Sequence, residues 1–125
     1  MKQWKVLLVD DEEEFVSTLA ERLALRGIQA GVATSGEEAL RAMEAEPPEV
    51  VVLDLMMPGL SGLEVLQRIK RRRPQTQVIL LTGHGSTRDG IEGMRLGALD
   101  YLMKPLKIEE LLEKIHEAVS SPGET

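Results

Sequence analysis

Four short apolar runs punctuate the chain, and each gives way to a residue able to handle a charged ligand. Val6-Leu7-Leu8-Val9 leads into Asp10-Asp11, Val50-Val51-Val52-Leu53 into Asp54, Val78-Ile79-Leu80-Leu81 into Thr82, and Leu99-Asp100-Tyr101-Leu102-Met103 into Lys104-Pro105. Runs rich in Val and Ile, without polar alternation, predict strands buried on both faces of a parallel sheet. The intervening segments carry helical periodicity. Phe15, Leu19 and Leu23 share a face with Val16 and Ala20 beside them, and Arg26-Gly27 supplies a cation and a C′ glycine to end that helix. Ile28 to Thr34, interrupted by Gly31, predicts a weak strand at a sheet edge. Ser35 caps a helix from Gly36 to about Ala45, with Glu38 completing a capping box and Pro47-Pro48 as the stop. Ser61 and Glu64 repeat that spacing ahead of a third helix closed by Arg71-Arg72-Arg73-Pro74. A fourth, Ser86 to Arg95, carries Gly90 and Gly93, each costing about 1 kcal/mol relative to Ala. Its apolar side chains are mainly Ile91 and Met94, so it is expected to be the least stable helix. The last runs from about Lys107 to Val119, with Ile108, Leu111, Leu112, Ile115, Ala118 and Val119 following i, i+3, i+4, i+7 spacing.

Strands alternating with helices at short intervals predict βαβ units with right-handed crossovers, hence an α/β fold. In an open parallel sheet the ligand crevice lies beyond the carboxyl ends of the strands. Three carboxylates, a hydroxyl and an ammonium are therefore expected to meet at one edge. Close carboxylates repel, and they resolve this by sharing a proton or binding a cation. Mg²⁺ suits such a place because it takes one or two carboxylates, keeps several waters and accepts phosphate oxygens. Lys104 can act as a point charge on phosphate, and its stem spans more than one strand spacing of about 4.8 Å.

Each feature also has a plainer reading. Asp10-Asp11 and the following Glu12-Glu13-Glu14 suit a helix N-terminus, where acids complement the dipole, and this accounts for the three glutamates. Asp54 reads equally as a cap for the loop Leu55 to Gly62, Thr82-Gly83 as a strand end and turn, and Lys104-Pro105 as a surface lysine before a helix-starting proline. The Arg71-Arg72-Arg73 run and His116 read as solvated helix positions. The conjunction at four strand ends is what favours a site for a divalent metal plus a phosphoryl group. His84 falls near the expected mouth, but with no second histidine near it in sequence it is not expected to ligate metal. Gly83-His84-Gly85-Ser86-Thr87-Arg88 departs from the dinucleotide fingerprint at its last position, and the Gly85 to Gly90 spacing lacks the lysine of a P-loop.

Composition narrows the classes. A chain of 125 residues suits one domain, 1–125, with a core from about Lys5 to Val119 and residues 120–125 as a frayed end or linker stump. With 29% charged and 42% hydrophobic residues it reads as globular. The absence of cysteine excludes disulfides, thiolate metal sites and cysteine nucleophiles. A net charge of −6 argues against direct nucleic-acid binding by this domain. No apolar stretch approaches the roughly 18 residues of a membrane helix, and the start does not read as a signal peptide, so the expected location is the cytoplasm.

Taken together, Val9-Asp10-Asp11, Asp54-Leu55-Met56-Met57-Pro58-Gly59, Thr82-Gly83 and Tyr101-Leu102-Met103-Lys104-Pro105 resemble, in order and spacing, a response regulator receiver domain of the CheY-like superfamily, the phospho-acceptor of two-component signalling. The resemblance runs from Lys5 to about Val119. It implies a flavodoxin-like three-layer (βα)5 fold with a parallel sheet of order 2-1-3-4-5. It implies that Asp54 accepts a phosphoryl group from the phosphohistidine of a histidine kinase or phosphotransfer protein. Asp11, Asp54 and the backbone carbonyl of Met56 would hold Mg²⁺, or Mn²⁺ in its place, with Asp10 acting through water. Lys104 and Thr82 would contact phosphoryl oxygens, and Thr82 with Tyr101 would form the switch. The Lys104–Pro105 bond would be cis, and Met56, Gly83 and His84 would tune phosphoryl lifetime. The face made by the last two helices and the strand between them would meet an output domain or target, or a second copy as a homodimer. Such a domain is a signalling switch that promotes its own phosphorylation and dephosphorylation. The alternatives are a phosphorylation-independent interaction module and a Mg²⁺-dependent phosphatase working through an aspartyl phosphate; a flavin carrier fits less well, with one Trp, one Tyr and no phosphate loop.

Overall fold

The computed structural model describes residues 5–83 and 87–120. Ten elements alternate along the chain: β1 (Val6–Val9), α1 (Glu13–Ala24), β2 (Ala30–Ala33), α2 (Gly36–Ala45), β3 (Val50–Asp54), α3 (Gly62–Arg72), β4 (Gln77–Thr82), α4 (Thr87–Arg95), β5 (Asp100–Met103) and α5 (Ile108–Ser120). All strand pairs are parallel, and the order is β2-β1-β3-β4-β5. This is the flavodoxin-like α/β architecture.

The two-residue period of the strands divides the core into two layers. Leu7, Val9, Val51, Leu53, Val78 and Leu80 pack with Ala39 and Met43 of α2 and Val65, Leu66 and Ile69 of α3. Val6, Leu8, Val50, Val52, Ile79 and Leu81 pack with Val16, Leu19 and Leu23 of α1 and Leu111, Ile115 and Ala118 of α5. β1 and β3 are buried throughout, as the unbroken apolar runs require. The weak strand is an edge strand, but shorter than Ile28–Thr34. Ile28 is instead buried at the end of α1, where its N–H donates to Leu23 O at 3.0 Å while Gly27 N–H donates to Ala24 O at 3.0 Å. Gly27 adopts φ 82°, which completes a Schellman stop.

The helix starts differ from expectation in their details. Ser35 and Ser61 accept from Glu38 N–H (3.1 Å) and Glu64 N–H (3.2 Å), as N-caps should. Glu38 reaches back past the cap to Thr34, taking its N–H at 2.6 Å and its hydroxyl at 3.0 Å. Glu64 turns forward instead and pairs with Arg68 at 2.9 Å, so the second box is only half built.

α4 is the larger surprise. Ile91 and Met94 are 53% and 40% exposed, whereas Gly90 and Gly93 are buried. A Cβ on Gly93 would lie 2.1 Å from Leu80 Cδ1, and one on Gly90 would lie 2.8 Å from the Tyr101 ring. The helix sits so close to β4 and β5 that glycines occupy its buried positions 90 and 93. Residues 84–86 and 121–125, including His84, the expected first residue of the fourth helix (Ser86) and all but the first residue of the expected tail, lie outside the described residues; Ser120, expected to begin that tail, is instead the last residue of α5. Among the described residues no helix is long and apolar enough to cross a membrane.

Candidate functional site

The connection leaving β1 runs to β2 on one side and the connection leaving β3 runs to β4 on the other, which opens a crevice at the carboxyl ends of β1 and β3. Strand register decides what lines it. Val9 is level with Leu53, so Asp10 falls beside Asp54. Asp54 is level with Leu81, and Thr82 with Met103, so Thr82 and then Lys104 follow one step further along. The candidate groups thus climb across the sheet like stairs and converge over its edge.

Asp10, Asp11 and Asp54 each present a ligand oxygen, and the three lie within 4.8 Å of one another. Asp10 and Asp54 are buried, while Asp11 is exposed. The Asp10 side chain is fixed at both oxygens: Oδ1 accepts from Glu12 N–H at 3.0 Å and Oδ2 from Lys104 Nζ at 2.8 Å. Asp54 Oδ1 accepts from Met56 N–H at 3.2 Å, and Oδ2 lies 3.9 Å from Lys104 Nζ. Asp54, only 3% exposed, has its pKa pushed up to about 6. Burial is the main cause and the Asp10 charge the next; the Met56 N–H and Lys104 pull the other way, and Asp11 adds a smaller upward push. Burial alone would lower the Lys104 ammonium. Its hydrogen bond to Asp10, the charge of Asp54 and the bond to Glu12 outweigh this and hold it above its ordinary value.

The Thr82 hydroxyl is fully buried and has no hydrogen-bond partner; among the described residues no other buried side-chain polar atom is in that position. Such a group is costly unless something completes it. A pocket of about 280 Å³ is lined by Asp11, Glu12, Asp54, Met56, Gly83 and Lys104. Met56 is 58% exposed, and the Lys104–Pro105 peptide bond is cis. Tyr101 is half-buried against Gly90. The structure therefore gathers Asp10, Asp11, Asp54, Met56, Gly83 and Lys104, places Thr82 one step along β4, and sets Tyr101 further off on β5.

Two residues of the site escaped the reading by sequence. Glu12, assigned to the helix dipole with Glu13 and Glu14, accepts from Lys104 Nζ at 3.1 Å. Phe15, assigned to the helix core, lies with its ring centroid 4.7 Å from the same ammonium. The clue for Glu12 was its place directly after Asp11 in a turn facing the crevice; nothing in the spacing singled out Phe15.

The sequence model of the response regulator receiver domain family matches residues 6–116. The chain belongs to that family. It is 42% identical over 123 residues to the transcriptional regulatory protein YkoG of Bacillus subtilis, covering 98% of this chain and 54% of that protein. It is 36% identical over 119 residues to the acid tolerance regulatory protein ActR of Rhizobium meliloti, covering 95% of this chain and 60% of that one. The receiver domain of NtrX from Brucella abortus superposes with a TM-score of 0.89 at 31% identity, covering 93% of this chain and 98% of that one. A response regulator receiver domain from Clostridium thermocellum does so at 0.89 and 35%, covering 94% of each. The receiver chain thus spans little more than half the length of these curated relatives.

Proposed function

We propose that this receiver is a phosphorylation switch in which Asp54 takes a phosphoryl group from a phosphohistidine of a histidine kinase or phosphotransfer protein. The observation that carries the proposal is the state of Asp54. It is a carboxylate buried beside two others, with an ammonium 3.9 Å away that it does not hydrogen-bond. An arrangement so rich in negative charge and yet within reach of a cation suits an attacking oxygen whose product brings still more charge.

The donor set also fits a hard dication. Three carboxylate oxygens within 4.8 Å, one of them on an exposed side chain, match the Mg²⁺ preference for a few carboxylates plus water. Asp11, Asp54 and the Met56 carbonyl would hold Mg²⁺ (or Mn²⁺), with Asp10 acting through water, and the ion would neutralise charge developing on the phosphoryl oxygens. Asp54 attacks phosphorus, the phosphorus–nitrogen bond to the donor histidine breaks, and the imidazole leaves. Lys104 then has a nearer and more charged partner than Glu12. The new oxygens offer the buried Thr82 hydroxyl the acceptor it lacks. If Thr82 moves toward them, the space it leaves lies on the Tyr101 side, and the two-glycine α4 is the element able to shift. Met56 and Gly83, which line the pocket, would tune the lifetime of the phosphoryl group, and His84 is assigned the same role from its place in the sequence alone. The responsive face is that of α4, β5 and α5, where Ile91, Met94 and Met103 are exposed apolar groups. An output domain or target docks there, or a second copy of the chain; the transcriptional relatives suggest control of transcription as the output.

Acetyl phosphate with Mg²⁺ should add a single phosphate, seen as one mass increment. Asp54→Asn should remove it. Undiminished phosphorylation of that variant would place the nucleophile elsewhere.

A further inference from the structure

We infer that the start of α1, through the Glu12 carboxylate and the Phe15 ring, holds Lys104 in a standby position and so restrains acceptance of the phosphoryl group. The inference rests on the reading of Asp54 as the phosphoacceptor. Its basis is where the ammonium spends its bonds. Lys104 Nζ has three donors. One goes to Asp10 at 2.8 Å and one to Glu12 at 3.1 Å, whereas Asp54 stays at 3.9 Å, beyond hydrogen-bond reach. The Phe15 ring, one helical turn after Glu12, offers its π system to the same charge at 4.7 Å.

The two anionic partners differ in kind. The Asp10 side chain is 1% exposed and anchors the lysine permanently. The Glu12 side chain is 66% exposed, so its pair with Lys104 is solvated, weak and easily exchanged. A phosphoryl group on Asp54 must draw the ammonium from Glu12 and from the ring face, while the bond to Asp10 can persist. Glu12 and Phe15 are thus positioning residues: they act through Lys104 and set how much of the binding energy of the phosphoryl group goes to recruiting it. The acids that follow do not share this role by composition alone, because only the residue at the N-cap of α1 reaches the pocket lining.

The test uses beryllofluoride, a phosphoryl mimic, with Mg²⁺ on the whole chain, with dissociation constants measured by calorimetry. Glu12→Gln should tighten binding by about 1.5-fold to 5-fold, the range of an exposed ion pair. In a Lys104→Ala background the same substitution should change nothing. Phe15→Leu should tighten binding in the same direction, and Phe15→Tyr should restore the wild-type value. Equal tightening with and without Lys104 would overturn the inference, since Glu12 would then act directly on the anion; so would no change at all. Wild-type protein that failed to bind beryllofluoride would count against Asp54 as phosphoacceptor instead. A metal-free crystal structure of Glu12→Gln decides the positioning question in that event. Lys104 Nζ should move within hydrogen-bond distance of Asp54, and an ammonium left at its present place would refute the inference.

Discussion

Substitution of Gly62 by alanine sets local propensity directly against packing. Gly62 is the first residue of α3, where alanine ought to gain up to about 1 kcal/mol over glycine. In the folded protein, however, a Cβ there would lie 2.6 Å from Leu55 Cα and 2.8 Å from the Asp54 carbonyl oxygen. Carbon atoms pack best at roughly 3.5–4.0 Å, so the helix start would have to retreat by about 1 Å. Both obstacles are backbone, and neither can rotate aside. Overpacking of this sort costs about 1–3 kcal/mol, and rigid obstacles put it at the upper end. The net expectation is a loss of about 2 kcal/mol. Gly83→Ala is the control: among the described residues nothing lies within 4 Å of its Cβ, and its φ is not positive. It should be neutral or gain up to about 1 kcal/mol through the unfolded chain. Urea unfolding followed by circular dichroism, with linear extrapolation, measures both. A Gly62→Ala midpoint equal to or above that of wild type, at unchanged m, would refute the packing argument.

Two further outcomes follow from the site. In chelator, Asp54→Asn should exceed wild type in stability by on the order of 2 kcal/mol above pH 6, because an Asp54 pKa raised from 3.8 to about 6 means that ionisation opposes folding. That advantage should fade as pH falls from 6 toward about 3, below both pKa values, where wild-type Asp54 is protonated in both states; a gap constant from pH 4 to 8 would rule this out. Gly90→Ala would put a Cβ 2.8 Å from Cγ of the half-buried Tyr101, so the ring would have to shift. Since the chain has one tyrosine, ring resonances in NMR report this directly. They should shift well beyond the change caused by Ile91→Ala on the outer face, and equal shifts would exclude the contact.

Apolar continuity was enough to place β1, β3 and β4, because a strand covered on both faces has to be written that way. Capping serines fixed the starts of α2 and α3 for a similarly local reason. The inner face of α4 could not be read like this. Periodicity detects side chains, and here the buried positions are Gly90 and Gly93, so Ile91 and Met94 drew attention to the side that faces water. Glu38 and Glu64 share a spacing but not a partner, because Thr34 and Arg68 are the nearer alternatives in each setting. Within the site, the strand-end residues were legible because parallel register aligns strand ends. Glu12 and Phe15 were not, since what draws them in is a lysine 92 positions from Glu12.

The staircase of strand ends has one more effect. Asp10 and Lys104 are 94 positions apart, and β3 and β4 lie between their strands in the sheet. No fragment can therefore hold a ligand there: the cradle exists only while every central strand is hydrogen-bonded in place. Any occupant must then brace the entire molecule, by RT ln(1 + [L]/Kd), instead of one loop. A plain melting curve becomes a titration: the rise in Tm with added cation or phosphoryl mimic measures occupancy without label or partner.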